Sequence, residues 1–277
     1  MAKEAEDEDW LRKTDRDYEQ RVEKWKKREK RSEDLATVEG VLDLSTRQVL
    51  YRLLNSGIIE EFGGALSTGK ESTVFHAFAG PKLDAEELAI KVYRTKTLDF
   101  RRIQQYIHGD PRFSAKRRKS HKLMEIWAEK EFKNLSRFQK AGVSVPRPFV
   151  AKKNVIVMEL IGKDGIAAPL LKDAELEAPT DHESILRNII EDITKAYKHA
   201  KLVHSDLSEY NILYWEERPW FIDVGQAVLT SHPMALNFLF RDLQNVIYLF
   251  RPPDKAKVEV EEEFTRITGE SPPPQIT

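Results

Sequence analysis

The stretch from Val203 to Gly225 constrains this chain more than any other. It reads Val203-His204-Ser205-Asp206-Leu207-Ser208-Glu209-Tyr210-Asn211-Ile212-Leu213, then Phe221-Ile222-Asp223-Val224-Gly225. One aspartate stands five residues before an asparagine, and a second follows an apolar run 17 residues after the first. Two short predicted strands flank the Glu216-Glu217-Arg218-Pro219 turn between them. Taken singly, Asp206, Asn211 and Asp223 are the residue types that most often cap turns. Together they hold what is needed to orient a hydroxyl and keep a divalent cation beside a triphosphate. Asp206 can accept a hydroxyl proton, and Asn211 and Asp223 offer hard oxygen donors of the kind Mg²⁺ takes. His204 reads as a satisfied core histidine.

The rest of the chain must supply somewhere for phosphates to sit. Between two predicted strands lies Ser67-Thr68-Gly69-Lys70-Glu71-Ser72-Thr73-Val74. Its small residues let backbone N–H groups approach phosphate oxygens, and its hydroxyls add donors. An ordinary hairpin turn is the plain alternative. Gly64 to Lys70 also fits the G-x-x-x-x-G-K core of a Walker A loop. Context weighs against that reading: Glu71 stands where a Mg²⁺-binding hydroxyl belongs, and Thr73 to Ala77 reads as a strand, not the helix such a loop needs.

Lys91 interrupts the apolar run Leu88-Ala89-Ile90-Lys91-Val92-Tyr93, 17 residues after Val74. That separation suits adjacent strands beneath one phosphate loop, although a strand lysine commonly faces solvent at an edge. A helix predicted over 123–140 carries Trp127, Glu131 and Leu135 at spacings of four. An inward carboxylate is costly unless paired, and Lys91 is the obvious partner. Glu129 falls about 160 degrees around the helix and reads as solvated. The plain reading of Glu131 is that it borders the core.

The remaining elements follow from periodicity. Residues 1–40 read as a charged N-terminal arm, either a solvated helix with a narrow docking stripe of Trp10, Leu11, Tyr18, Val22 and Trp25 or a partly disordered segment. A helix capped by Ser45 carries Val49, Leu50, Leu53 and Leu54 and stops at Gly57. Short strands with turns at Gly63-Gly64 and Gly80-Pro81 follow, and Val155 to Met158 reads as a buried strand. Gly162-Lys163-Asp164-Gly165 is a connector. A helix over 182–200 has Ile185, Ile189, Ile193 and Tyr197 on one stripe. Ser231-His232-Pro233 predicts the start of a helix running to Phe250, with Asp242 on its inner stripe beside Leu239 and Val246. Asp242 is expected to support the backbone of the His204–Asp206 loop. The expected units are 41–161, an N-lobe with its N-terminal helices, 162–252, a helical C-lobe, and 253–277, a loose C-terminal tail.

Composition narrows the class. With 277 residues and 40% hydrophobic content, the chain is long enough for two lobes sharing a cleft. It has no cysteine, which removes disulfides, thiolate metal sites and cysteine nucleophiles. Together with 33% charged residues, this points weakly to a thermophile. The formal net charge of −1 gives no global field for nucleic acid, and no DNA partner is expected. No secretory signal is visible, and no apolar run approaches the roughly 18 residues of a membrane span, so a cytoplasmic protein without a membrane partner is expected.

The order of these elements resembles the eukaryotic-type protein kinase, and its wording is similar to the RIO family of atypical serine/threonine kinases. The matching stretches are Ser67 to Glu71, Trp127-Ala128-Glu129-Lys130-Glu131-Phe132, Val157 to Gly162, His204 to Asn211, Ile222-Asp223-Val224-Gly225-Gln226 and Ser231-His232-Pro233, within residues 45–250. The chain most resembles the first, archaeal-like subfamily, which has no winged helix. The implied fold is α+β and two-lobed, an antiparallel N-lobe sheet plus helix over a reduced helical C-lobe. The implied ligands are ATP and Mg²⁺, with Mn²⁺ as a substitute.

By the same resemblance, Ser67, Thr68, Gly69, Lys70, Glu71, Ser72 and Val74 cover the nucleotide. Lys91 meets the α- and β-phosphates and Glu131 holds Lys91. Met158 and the backbones of Glu159 and Ile161 face the adenine. Asp206 is the catalytic aspartate and Asn211 and Asp223 bind the metal; Asp223 also accepts phosphate in an ATPase-like cycle. The implied partners are maturing small ribosomal subunits and their rRNA.

Departures from ordinary protein kinases matter equally. Ser205 replaces the arginine that answers an activation-loop phosphate, Val224 replaces the usual Phe, and one loop glycine of three survives, Gly69. No Ala-Pro-Glu follows Asp223, so no peptide groove is expected. Residues 94–122 interleave Arg101, Arg102, Arg112, Lys116, Arg117, Arg118, Lys119 and Lys122 with Tyr106, Phe113 and His121. That segment reads either as a solvated loop or as a contact for ATP or RNA phosphates. Two other readings stay open. One is a nucleotide-gated ribosome-binding module with little phosphotransfer. The other is a small-molecule kinase of the aminoglycoside type, for which no acidic pocket is evident.

Overall fold

The computed structural model describes residues 42–94, 106, 110, 112, 120–174 and 179–274. The N-terminal arm and most of the basic segment, Arg101, Arg102, Phe113 and Lys116 to Lys119 included, lie outside the described residues.

Helix α1 spans Leu44–Asn55. Its cap is Asp43, not Ser45: the Asp43 carboxylate accepts from the Thr46 N–H at 2.7 Å, and Ser45 instead receives the Lys153 ammonium at 2.7 Å. Both are good capping types, and the sequence alone does not choose between them. The helix buries Val49, Leu50, Leu53 and Leu54 against one face of a sheet and stops at Ser56 and Gly57.

That sheet has five antiparallel strands in the order β1-β2-β3-β5-β4. They are β1 (Ile59–Thr68), β2 (Ser72–Ala79), β3 (Glu87–Tyr93), β4 (Pro148–Lys152) and β5 (Val155–Glu159). Gly63-Gly64 is not a turn. The pair lies inside β1, where the register shifts between Phe62 and Ala65. Glycine is required there by close approach, since a Cβ on Gly63 would stand 2.2 Å from His76 Nδ1.

Alternation along β3 and β5 divides their side chains between two cores. Leu88, Ile90, Val92, Val155 and Val157 pack with α1, whereas Ala89, Tyr93, Ile156 and Met158 join the larger core on the other face. Lys91 therefore points to that second face. Helix α2, Ser120–Lys140, covers it and begins three residues before the expected Leu123.

The connector forms a small hairpin, β6 (Gly162–Lys163) with β7 (Ile166–Ala167). Gly162 has φ +146°, and a Cβ there would lie 2.1 Å from the Ile166 carbonyl oxygen. Helix α3, Pro179–Lys195, runs on through a π-turn at Ala196–Ala200 and ends at left-handed Lys201. Short strands follow: β8 (Leu202–Val203) pairs with β11 (Val228–Leu229), and β9 (Ile212–Trp215) with β10 (Arg218–Phe221). Asp206 and Asn211 lie between β8 and β9, and Asp223 between β10 and β11, so the two pairings bring the three polar residues to one end.

Helix α4 spans Ala235–Phe250. Its cap position is Met234, with no side-chain hydrogen bond; Ser231 to Pro233 precede it in a turn. The expected loose tail is also corrected, because Pro253–Thr268 form helix α5. Ala256, Val260, Phe264 and Ile267 are buried in it, and Phe264 meets Phe240 edge-on at 5.5 Å. Among the described residues no helix is long and apolar enough to cross a membrane.

Candidate active site

The sheet, the β6–β7 hairpin and the loops after β8 and β10 enclose a cleft of about 490 Å³. Ser67, Gly69, Ser72, Val74, Lys91, Met158, Glu159, Ile161, Asn211 and Asp223 are among the residues that line it. Thr68, Lys70 and Glu71 complete the β1–β2 hairpin without being lining residues; its backbone closes through the Gly69 N–H on the Ser72 carbonyl, 2.9 Å. Since Gly69-Lys70 runs into strand β2, the Walker A alternative is excluded.

Lys91 is the electrostatic centre. Its ammonium lies 2.7 Å from Glu131 Oε1 and 3.0 Å from Asp223 Oδ1. Lysine and glutamate are buried, while the Asp223 side chain is 53% exposed and so open to the cleft. Tyr93 donates a hydrogen bond to Glu131 Oε2. Burial pulls the lysine pKa down, but the Asp223 and Glu131 charges more than offset it, so Lys91 stays protonated. Its charge in turn holds the Asp223 carboxyl below the usual carboxylate range. Glu129, on the opposite helix face, pairs with Lys133 at the surface.

Asp206 stands just beyond the cleft lining and is joined to it through Asn211. The Asn211 amide nitrogen donates to the Asp206 carbonyl at 2.7 Å. That bond sets the amide orientation and leaves the Asn211 oxygen as its acceptor atom. Gln226 Nε2 donates to Asp206 Oδ2 at 2.9 Å. Asp223 takes left-handed backbone angles, φ 59° and ψ 47°, which turn its side chain back toward Lys91.

The loop carrying Asp206 hangs on Asp242 as expected. One Asp242 oxygen accepts from the Ser205 N–H at 2.7 Å and the other from the Leu207 N–H at 3.0 Å. Burial pushes the Asp242 carboxyl up to about 7, against the pull of those two donors and of Arg241. Arg241 donates to the Ser205 carbonyl and Asn245 to the Leu207 carbonyl, at 2.9 Å for the latter. His204 is a core residue: it is buried, its Nε2 donates to the Ile222 carbonyl at 3.1 Å, and burial lowers its pKa.

At the cleft edge after β5, the Glu159 N–H is committed to the Arg147 carbonyl at 2.9 Å. The Ile161 carbonyl accepts from the Ala168 N–H at 2.8 Å. The polar backbone atoms outside these two bonds are the Glu159 carbonyl and the Ile161 N–H.

Several residues here carry a role that the motifs do not assign. Tyr93 reads as an ordinary strand aromatic, and Gln226 as a loop residue. Lys130 and Asn134, both wholly buried, reach the backbone after Asp223. Their signal was available, because they share a helical stripe with Trp127 at spacings of three and seven.

An antiparallel sheet over a helical layer, with a strand lysine bridged to a helix glutamate and a loop aspartate across a cleft, defines a protein-kinase-like fold. Within that class the chain belongs to the RIO family: the RIO domain model matches residues 73–263. It is 44% identical over 228 residues to the serine/threonine-protein kinase RIO1 of Caenorhabditis elegans, covering 82% of this chain and 44% of that protein. It is 41% identical over 240 residues to human RIO1, covering 86% and 42%. To the RIO-type kinase Rio1 of Haloferax volcanii it is 38% identical over 240 residues, covering 87% and 79%. The chain thus spans less than half the length of the first two relatives. The Rio2 kinase–ADP/Mg²⁺–phosphoaspartate complex of Chaetomium thermophilum shares the fold with a TM-score of 0.56 and 23% identity, over 81% of this chain and 70% of that one.

Proposed function

We propose that the cleft binds ATP with Mg²⁺ and that the chain is a RIO-type serine/threonine kinase whose site also hydrolyses ATP. The Lys91 ammonium held between Glu131 and Asp223 carries the reading, because it presents one fixed positive charge where a triphosphate would lie. In this reading the Glu159 carbonyl and the Ile161 N–H meet the adenine edge. Backbone at Gly69 and the hydroxyls of Ser67 and Ser72 cover the phosphates.

The donor set fits Mg²⁺. One carboxylate, Asp223, and one amide oxygen, Asn211, supply hard ligands, the usual small protein share when phosphates complete the shell. Bound there, Mg²⁺ would neutralise phosphate charge; Mn²⁺ meets the same oxygen donors.

Asp206 accepts the proton of the attacking hydroxyl as its oxygen bonds to the γ-phosphorus. The bond from that phosphorus to the bridging oxygen breaks, and ADP leaves. Gln226 and Asn211 hold Asp206 for that step. A second acceptor is Asp223 itself, the one aspartate among the cleft-lining residues. The phosphoaspartate in the Chaetomium complex supports this reading. Attack by a carboxylate oxygen would give an acyl phosphate, and water would then release phosphate.

The family supports a role on the maturing small ribosomal subunit, with rRNA near the basic segment, in the cytoplasm. The proposed domain division is a sheet lobe over 41–161 and a helical lobe over 162–252. The test of activity is ATP turnover by the parent and by Asp206→Ala and Asp223→Ala, with acid- and base-lability of any protein-bound phosphate. Turnover that survives both substitutions would contradict the roles given to Asp206 and Asp223, and nucleotide binding without turnover in the parent would leave the nucleotide-gated binding module.

A further inference from the structure

Lys130 is among the largest fully buried side chains of the described residues and lies beside the cleft without being one of its lining residues. Its ammonium donates to the Gly225 carbonyl at 2.7 Å and the Ala227 carbonyl at 2.5 Å. One helical turn on, the Asn134 amide donates to the Val224 carbonyl at 2.9 Å and the Ala227 carbonyl at 3.3 Å. The indole of Trp127 closes the other side, so near that a Cβ on Gly225 would stand 3.1 Å from it. Four hydrogen bonds from two side chains of α2 thus grip the turn that immediately follows Asp223.

Burying an ammonium group among apolar side chains is expensive, and an aliphatic residue would fill the space more cheaply. Among the described residues Lys130 has no carboxylate within ion-pair distance. The Asp110 charge, itself paired with Arg112, favours the ammonium from farther off, but the hydrogen-bond partners of Lys130 are backbone carbonyls of the turn that follows the left-handed backbone of Asp223. Glu131, the next residue, orients Lys91. Adjacent residues of one helix therefore hold the two ends of the Lys91–Asp223 contact.

We propose that Lys130, assisted by Asn134, is a positioning residue that presets the Asp223 carboxylate for a divalent cation, making α2 a single brace for both the lysine and the metal end of the site. This rests on the proposed Mg²⁺–nucleotide reading. The brace keeps the 223–227 turn in one conformation, so metal binding need not first order it. A residue that orients a metal ligand characteristically changes metal affinity by about 10- to 100-fold when removed.

The test is a Mg²⁺ titration at saturating ATP, with ADP affinity measured separately in EDTA. Parent, Lys130→Met and Asn134→Leu chains are compared well below their melting temperatures. For Lys130→Met, a half-saturating Mg²⁺ concentration raised about tenfold or more is expected, with ADP affinity in EDTA within about twofold of the parent. Asn134→Leu should show the same direction at smaller size, and it carries the test if Lys130→Met does not fold. Hydrogen exchange at 224–227 should quicken in both. A lowered melting point with unchanged Mg²⁺ dependence would reduce Lys130 to a structural residue and overturn the proposal. A parent chain that binds no Mg²⁺-nucleotide would instead overturn the functional reading itself.

Discussion

Lys91 and Asp223 stand 3.0 Å apart across the cleft although 132 residues separate them in the chain. The contact joins the sheet to the loop after β10, and it is made by a lysine already 2.7 Å from Glu131. Any change at one of these three residues is therefore felt by the other two.

Lys91→Met leaves the buried Glu131 without its ammonium partner, with the Tyr93 hydroxyl still bonded to it. Stability should fall by about 3–5 kcal/mol, the range for breaking a buried pair from one side. Glu131→Gln should cost less, since Asp223 remains with Lys91. Chemical denaturation of both single variants and the double variant checks this, and the double variant should be less destabilised than the sum.

Asp242→Asn replaces one of two acceptors with an amide N–H₂ that must face a backbone N–H. A loss of about 1–3 kcal/mol is expected from the unsatisfied group, with slower ATP turnover because the Asp206 loop slackens. Unchanged melting and unchanged turnover would contradict the support role.

Asp206→Ala should lower phosphotransfer to a hydroxyl by about 10²- to 10⁴-fold, the share typical of a general base. ATP affinity should hardly change, because Asp206 lies outside the cleft lining. Single-turnover transfer and equilibrium binding separate the two effects.

Lys130 gives a pH dependence of defined sign. Burial lowers its pKa from 10.5 to about 7. Near pH 8.5 a lysine in the unfolded chain keeps its proton while Lys130 has largely lost its own, so folding releases a proton. Stability contributed by this residue should then rise with pH above about 7, by up to about 1.4 kcal/mol per pH unit. Subtracting the Lys130→Met curve from the parent curve between pH 7 and 10 should reveal that positive slope.

Much of this site was legible in the sequence because its chemistry is local. Asp206 and Asn211 share one short loop, and Lys91 stands out as the single charge in the apolar run Leu88 to Tyr93. Glu131 was found from the cost of an inward carboxylate. What escaped was of two kinds. Cap positions at Asp43 and Met234 depend on where the chain enters a helix, and Ser45 and Ser231 satisfy the same local rule. Helix α5 was hidden by its charge, since Ala256, Val260, Phe264 and Ile267 give only a thin apolar stripe among glutamates. The grip of Lys130 and Asn134 depends on carbonyls about 90 residues away, which no local pattern encodes.

The account stands most directly on calorimetric titration of ATP into the chain with Mg²⁺, repeated with Lys91→Met and Asp223→Ala. It predicts saturable one-to-one binding by the parent, weakened by loss of Lys91 and freed of its Mg²⁺ dependence by loss of Asp223. No heat of binding in the parent, or equal binding by all three chains, would contradict it.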